Sequence, residues 1–155
     1  MHSRSYHALL LFTAMASAVL ISGCLFADEL VSIDIFGSDE IPANVTKPDG
    51  MRIRVNNDSD QDFENMTVQI TVPENVIFKA KDLSVDKGIE WVYRLTRSLK
   101  AGAVGEYSFT YQPVVYEAQL GDDNEWAFDI KIQVFDQEGV SLGNQSTTWR
   151  VTRPI

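Results

Sequence analysis

The longest alternation in the chain runs Trp126, Phe128, Ile130, Ile132 and Val134, with Asp129, Lys131 and Gln133 at the positions between. Side chains on an extended strand point to opposite faces in turn, so this spacing predicts a strand with one buried and one wet face. The same pattern recurs along the chain. Val31, Ile33 and Ile35 share one face, Met51-Arg52-Ile53-Arg54-Val55 is apolar and basic by turns, and Met66, Val68, Ile70 and Val72 alternate with Thr67, Gln69 and Thr71 until Pro73. Val76 to Phe78 is a short apolar patch, and Ile89, Trp91, Tyr93 and Leu95 alternate with Glu90 and Arg94. Tyr107, Phe109 and Tyr111 then alternate with Ser108, Thr110 and Gln112, and a last strand spans Thr147 to Thr152 around Trp149.

Polar turns separate these runs. Asn56 to Asp62 joins two of them into one expected unit, Leu99 to Gly102 and Asp136 to Gly139 are turns, Gly121 to Glu125 is an acidic loop, and Ile41 to Gly50 reads as a connection. No window carries the 3.6-residue period of a helix. Seven or eight short alternating strands predict an all-β, immunoglobulin-like antiparallel β-sandwich, with Trp91, Phe109, Trp126 and Phe128 in its core beside the aliphatic positions. Of the three tryptophans, Trp149 is the hardest to place from its neighbours.

The N-terminus has a different character. Met1 to His7 contains one Arg (Arg4), Ala8 to Ile21 is almost unbroken apolar sequence, and Ser22 and Gly23 precede Cys24. A short charged region, an apolar stretch below spanning length and a small-residue cleavage site predict a secretory signal over residues 1–23. Leu20-Ile21-Ser22-Gly23-Cys24 resembles the lipobox of prokaryotic lipoproteins, with Ile21 as a departure at the third position before the cysteine. That resemblance implies that Cys24 becomes the N-terminus and carries a diacylglycerol, that residues 24–29 form a lipidated tether, and that the domain of residues 30–155 sits on the outer side of the cytoplasmic membrane. Cys24 is the one cysteine of the chain, so no intramolecular disulfide can form, and acylation would consume a thiol otherwise left free.

Both histidines, His2 and His7, lie in the signal. The 132 residues from Cys24 onward therefore lack histidine, which argues against Ser-His-Asp and Cys-His catalysis and against common zinc, copper and haem sites. Loss of Arg4 leaves 12 Lys and Arg against 22 Asp and Glu, a net of −10. Such a surface is repelled by nucleic acid. The expectation is a protein that is not an enzyme, holds no cofactor and meets the membrane through the lipid on Cys24.

The stretch Met51 to Gly102 resembles the immunoglobulin-like modules of archaeal and bacterial surfaces, including S-layer-associated repeats and cell-adhesion-related domains. Val55-Asn56-Asn57, Asn65 to Asn75, Leu99 to Gly102 and the strand Tyr107 to Tyr111 carry it. It implies a domain for protein interaction, adhesion or assembly with an envelope or surface partner. The alternative is a solute- or glycan-binding accessory lipoprotein of a transporter or secreted enzyme.

Several side chains are candidates for more specific roles. Asn44, Asn57, Asn65 and Asn144 each stand in an Asn-X-Ser/Thr acceptor pattern, four of seven asparagines, which suggests N-glycosylation of an archaeal surface protein beside the ordinary use of Asn in turns. Asp58, Asp60 and Asp62 alternate like the start of a calcium loop, but Phe63 and Gln69 stand where an EF-hand needs Gly and Glu, so a solvated turn is the better expectation. Glu106, Asp129 and Asp136 could in principle supply a carboxylate pair for glycoside hydrolysis, but each fits better on a wet strand face or end.

Overall fold

The computed structural model describes residues 29–43, 49–74, 76–113, 120, 122 and 124–153. These form ten strands: β1 (Val31–Phe36), β2 (Glu40–Pro42), β3 (Asp49–Asn57), β4 (Phe63–Pro73), β5 (Val76–Lys79), β6 (Ser84–Lys87), β7 (Glu90–Leu99), β8 (Val104–Pro113), β9 (Glu125–Phe135) and β10 (Ser141–Thr152). They make a four-stranded sheet in the order β1-β3-β8-β5 and a six-stranded sheet in the order β2-β10-β9-β4-β7-β6. Every pairing is antiparallel except β2 with β10.

The period-two pattern sets which face of each strand is buried. Phe128, Ile130, Ile132 and Val134 of β9 and Met66, Val68, Ile70 and Val72 of β4 lie in the core, while Asp129 and Lys131 face water. Register puts Val68 beside Val134 and Ile70 beside Ile132. Met51, Ile53 and Val55 of β3 supply buried side chains from the other sheet. Fully burying an aliphatic side chain contributes about 1.5–3 kcal/mol, so these rows are the main stabilising element. Trp149 also belongs to the core, 2% exposed, with its ring 4.5 Å from that of Tyr111. Phe109 and Phe128 are buried as expected, whereas Trp91 and Trp126 are only partly covered.

Two expectations about the strands are revised. The strands number ten because β2 lies partly in the stretch read as a connection and β6 in a stretch without apolar alternation. A three-residue strand is too short to show a period, and all four residues of β6 are exposed. Secondly, β3 and β4 do not form one paired unit. β3 pairs with β1 and β8, β4 with β7 and β9, so Asp58 to Asp62 arches from one sheet to the other.

Asn57 holds that arch. Its amide nitrogen donates to the carbonyls of Gln61 (2.7 Å) and Lys100 (3.0 Å), and its side-chain oxygen accepts from the Ser59 amide (3.1 Å) and hydroxyl (2.7 Å). Asp62 adds a second clamp, accepting from Lys100 Nζ at 2.7 Å and from the Ala101 amide at 2.9 Å. The bond from Lys100, reinforced by that amide, holds the Asp62 carboxyl below its ordinary value, and the same bond raises the Lys100 ammonium.

On one lateral side the sandwich is closed. The Leu30 amide donates to the Leu142 carbonyl at 2.9 Å, and Gly143 lies so near β1 that a Cβ there would press into the Val31 carbonyl and its Cγ2. Gly143→Ala is therefore expected to cost about 1–3 kcal/mol in chemical denaturation. Gly50→Ala, whose added methyl meets nothing within 4 Å, is expected to stay within about 0.5 kcal/mol. Equal effects of the two would contradict the close approach of β1 to β10. The depressed Asp62 pKa means that the unfolded chain takes up its proton first as pH falls, so the stability Asp62 contributes is present above about pH 4 and lost below it. Asp62→Asn is expected to make the fall of Tm with acidification shallower, and an unchanged acid limb would contradict the clamp.

Candidate functional site

Cys24 and Asn44 lie outside the described residues. Asp58, Asp60 and Asp62 are not brought together around a central point. The arch folds about Asn57, Asp62 is taken by Lys100 and Ala101, and among the described residues no three His, Cys, Asp or Glu side chains converge as a metal site. Asp62 therefore serves as a clamp of the arch between β3 and β4.

The other acids are dispersed too. Glu106 stands on β8 in the four-stranded sheet and accepts from Arg54 Nε and Nη2 at 3.1 and 2.8 Å. That pairing holds its carboxyl below the usual range. Asp129 accepts from Thr148 Oγ1 at 2.7 Å in the six-stranded sheet. Asp136, seven residues further on and thus roughly 23 Å along β9, caps a turn through the Val140 amide at 2.7 Å. No two of these three acids share a site.

Of the described acceptor asparagines, Asn57 is 2% exposed with both amide hydrogens engaged. Asn65 is exposed at a register shift of β4 with φ 54°, and Asn144 is exposed on β10 and donates to Glu29 Oε1 at 3.0 Å.

Two surfaces stand out once these are placed. On the outer face of the four-stranded sheet, the Phe36 ring lies beneath the guanidinium groups of Arg52 and Arg54, 4.9 and 5.1 Å from its centre. Beside it an open trough of about 480 Å³ is lined by Phe36, Gly37, Gly50, Arg52, Ser108 and Thr110, among others. Small residues on β3 and β8 create the trough. The alternation at Met51–Val55 signals an outward Arg52 and Arg54, but only the pairing of Phe36 with Arg52 shows that the aromatic ring joins them.

The second surface is the lateral edge opposite the β1–β10 closure. The Tyr93 hydroxyl donates to the Val76 carbonyl at 3.0 Å and its ring sits 5.4 Å from Phe78, so β7 lies over β5. Burial raises the Tyr93 pKa, which keeps the phenol a neutral donor. Because the upper sheet continues to β6 while the lower one ends at β5, β6 overhangs with no described strand facing it. Val85 pairs with Tyr93 and Lys87 with Trp91, so both point toward the uncovered side. Val85 is 46% exposed, Ile89 at the β6–β7 turn is 94% exposed, and Lys87 Nζ sits 4.3 Å over the half-covered Trp91 ring. The sequence pattern places Ile89 and Trp91 on a core face. The missed signal was Val85-Asp86-Lys87-Gly88, a strand and turn immediately before the next strand.

No known protein family matches the chain, and no curated protein matches it. Solved structures do. A CARDB domain from Pyrococcus furiosus, solved in complex with di-metal ions, is 19% identical, with 80% of this chain and 87% of that one covered and a TM-score of 0.51. AvmM, which catalyses macrocyclization in alchivemycin A biosynthesis, is 7% identical over 83% of this chain and 92% of that one, with a TM-score of 0.54. A cohesin module of a family 33 glycoside hydrolase from Clostridium perfringens is 10% identical over 81% and 99%, with a TM-score of 0.46, too low to bear on the reading. Proteins of such different roles share an architecture rather than an activity. The likeness shows the fold, an immunoglobulin-like β-sandwich.

Proposed function

We propose that the chain is a non-enzymatic, lipid-anchored cell-envelope protein whose sandwich mediates protein interaction, adhesion or assembly at the cell surface. The observation that carries the interaction reading is the overhang of β6, which leaves apolar side chains uncovered on one edge of an otherwise well-packed domain. The anchor rests on the lipobox-like segment and the solitary Cys24. Two acyl chains buried at about 0.8 kcal/mol per methylene hold a protein firmly to a bilayer.

The geometry of the tether fits this reading. Strand β1 begins at Val31, so the connection from Cys24 is short, a reach of roughly 20 Å for residues 24–29 when extended. It enters the sandwich at the end that carries the Asp58–Asp62 arch and the Lys100–Gly102 turn, as shown by the Asp58 amide donating to the Leu30 carbonyl at 3.1 Å. That end would face the membrane, and the β5–β6 edge would face sideways, open to a neighbour.

A second reading, the solute- or glycan-binding accessory lipoprotein, is favoured by the trough beside Phe36. The partly exposed Phe36, the Arg52 guanidinium stacked on it and the hydroxyls of Ser108 and Thr110 are the polar and apolar mixture such a ligand uses.

Intact-mass measurement of the protein extracted from its native membrane tests the anchor. The expected mass is that of residues 24–155 plus a diacylglyceryl group, and Cys24→Ser is expected to lose the addition and leave the membrane fraction unprocessed or released. A native mass equal to residues 1–155 without additions would overturn the reading.

A further inference from the structure

Because β7 lies over β5 and its sheet continues to β6, β6 overhangs a slot beside β5. We propose that the slot receives a single extended, acidic segment of a partner protein, which adds to the four-stranded sheet next to β5. This deepens the interaction reading above and rests on it.

The slot has a floor edge, a roof and a charged rim. Its edge is β5, which pairs with β8 alone among the described strands and whose Val76 carbonyl accepts from the Tyr93 hydroxyl. Its roof is the inward side of β6 and of the adjoining end of β7, where Val85 presents apolar surface, Lys87 Nζ lies over the Trp91 ring and Ile89 projects at the turn. An added strand would point alternate side chains up against that roof and the others outward beside Lys79. From β5 to the start of β7, residues 79 to 90 carry Lys79, Lys81 and Lys87 beside Asp82, Asp86 and Glu90. Of those acids, Asp82 pairs with Arg97 at 3.6 Å and Glu90 with Lys131 at 3.8 Å. Lys79 and Lys81 have no carboxylate partner among the described residues, and Lys87 turns inward onto Trp91. A segment with apolar residues facing in and carboxylates facing out satisfies both surfaces.

The geometry disfavours a second copy of this chain as the occupant. Pairing β5 with β5 of a copy would place that copy's β7, which lies over its own β5, in the space that β6 already fills. Short strands and lysines also protect an edge against indiscriminate pairing. Here the same lysines would select an acidic strand, because a neutral or basic one leaves them facing uncompensated or like charge.

Hydrogen exchange and titration calorimetry on the full chain in detergent test this with defined probes of about six residues, the length of an ordinary strand. The probes are a peptide alternating valine and aspartate, one alternating valine and lysine, and an N-methylated form of the acidic peptide that cannot pair as a strand. The acidic peptide is expected to bind with submillimolar Kd and to slow exchange over Val76–Lys79, the basic and N-methylated forms to bind at least about tenfold more weakly. Combined Lys79→Glu and Lys81→Glu, both exposed positions, should reverse the charge preference while leaving Tm nearly unchanged. Equal binding of the methylated peptide, absence of protection at β5, or a concentration-dependent dimer already protecting β5 would each overturn the slot. Protection confined to the Phe36 face would overturn it while leaving the domain a binding module.

Discussion

The structure depends on two adjacent rows of aliphatic side chains, Met66, Val68, Ile70 and Val72 on β4 and Phe128, Ile130, Ile132 and Val134 on β9. These central strands of the larger sheet are paired on both edges, and their inner residues are almost entirely removed from water. β-Branched residues dominate the two rows, which suits a pleated surface packed against a second sheet. With no disulfide available, this burial and the aromatic contacts of Trp149, Tyr111 and Phe78 must hold the sheets together.

From that centre the two lateral sides are treated differently. On one, β1 and β2 divide between the sheets and both lie against β10, closing the side with backbone hydrogen bonds and a glycine that permits close approach. On the other, a four-strand sheet faces a six-strand sheet, and the mismatch leaves β5 and β6 with single partners among the described residues. The closed side is tied by backbone hydrogen bonds, and the open side carries the exposed Val85 and Ile89 beside Lys79 and Lys81.

Long amphipathic strands were legible in the sequence because burial of one face imposes a period that residues such as Ile130, Ile132 and Val134 display openly. What was not legible follows from the same reasoning. Strand β6 has no buried face and so no period, and β2 is too short for one. Alternation reports which face is buried but not which sheet a strand joins, so the arch from β3 to β4 looked like a hairpin connection. Asn57 and Asp62 lay in a motif that suggested glycosylation or calcium. Their partners, Gln61, Lys100 and Ala101, include residues some forty positions away that only the fold brings near. The Phe36 trough and the β5–β6 edge are likewise products of strand pairing, which single-strand patterns do not contain.

A well-packed centre with one open edge makes a direct demand on local stability, which rises with burial and with hydrogen-bonding on both sides of a strand. Residue-resolved native-state hydrogen exchange measures it. The slowest amides are expected in Val68–Val72 and Ile130–Val134, exchanging only through global unfolding, and the fastest strand amides in Val76–Lys79 and Ser84–Lys87. Protection of β5 and β6 equal to that of β4 and β9 in the monomeric protein would contradict the account.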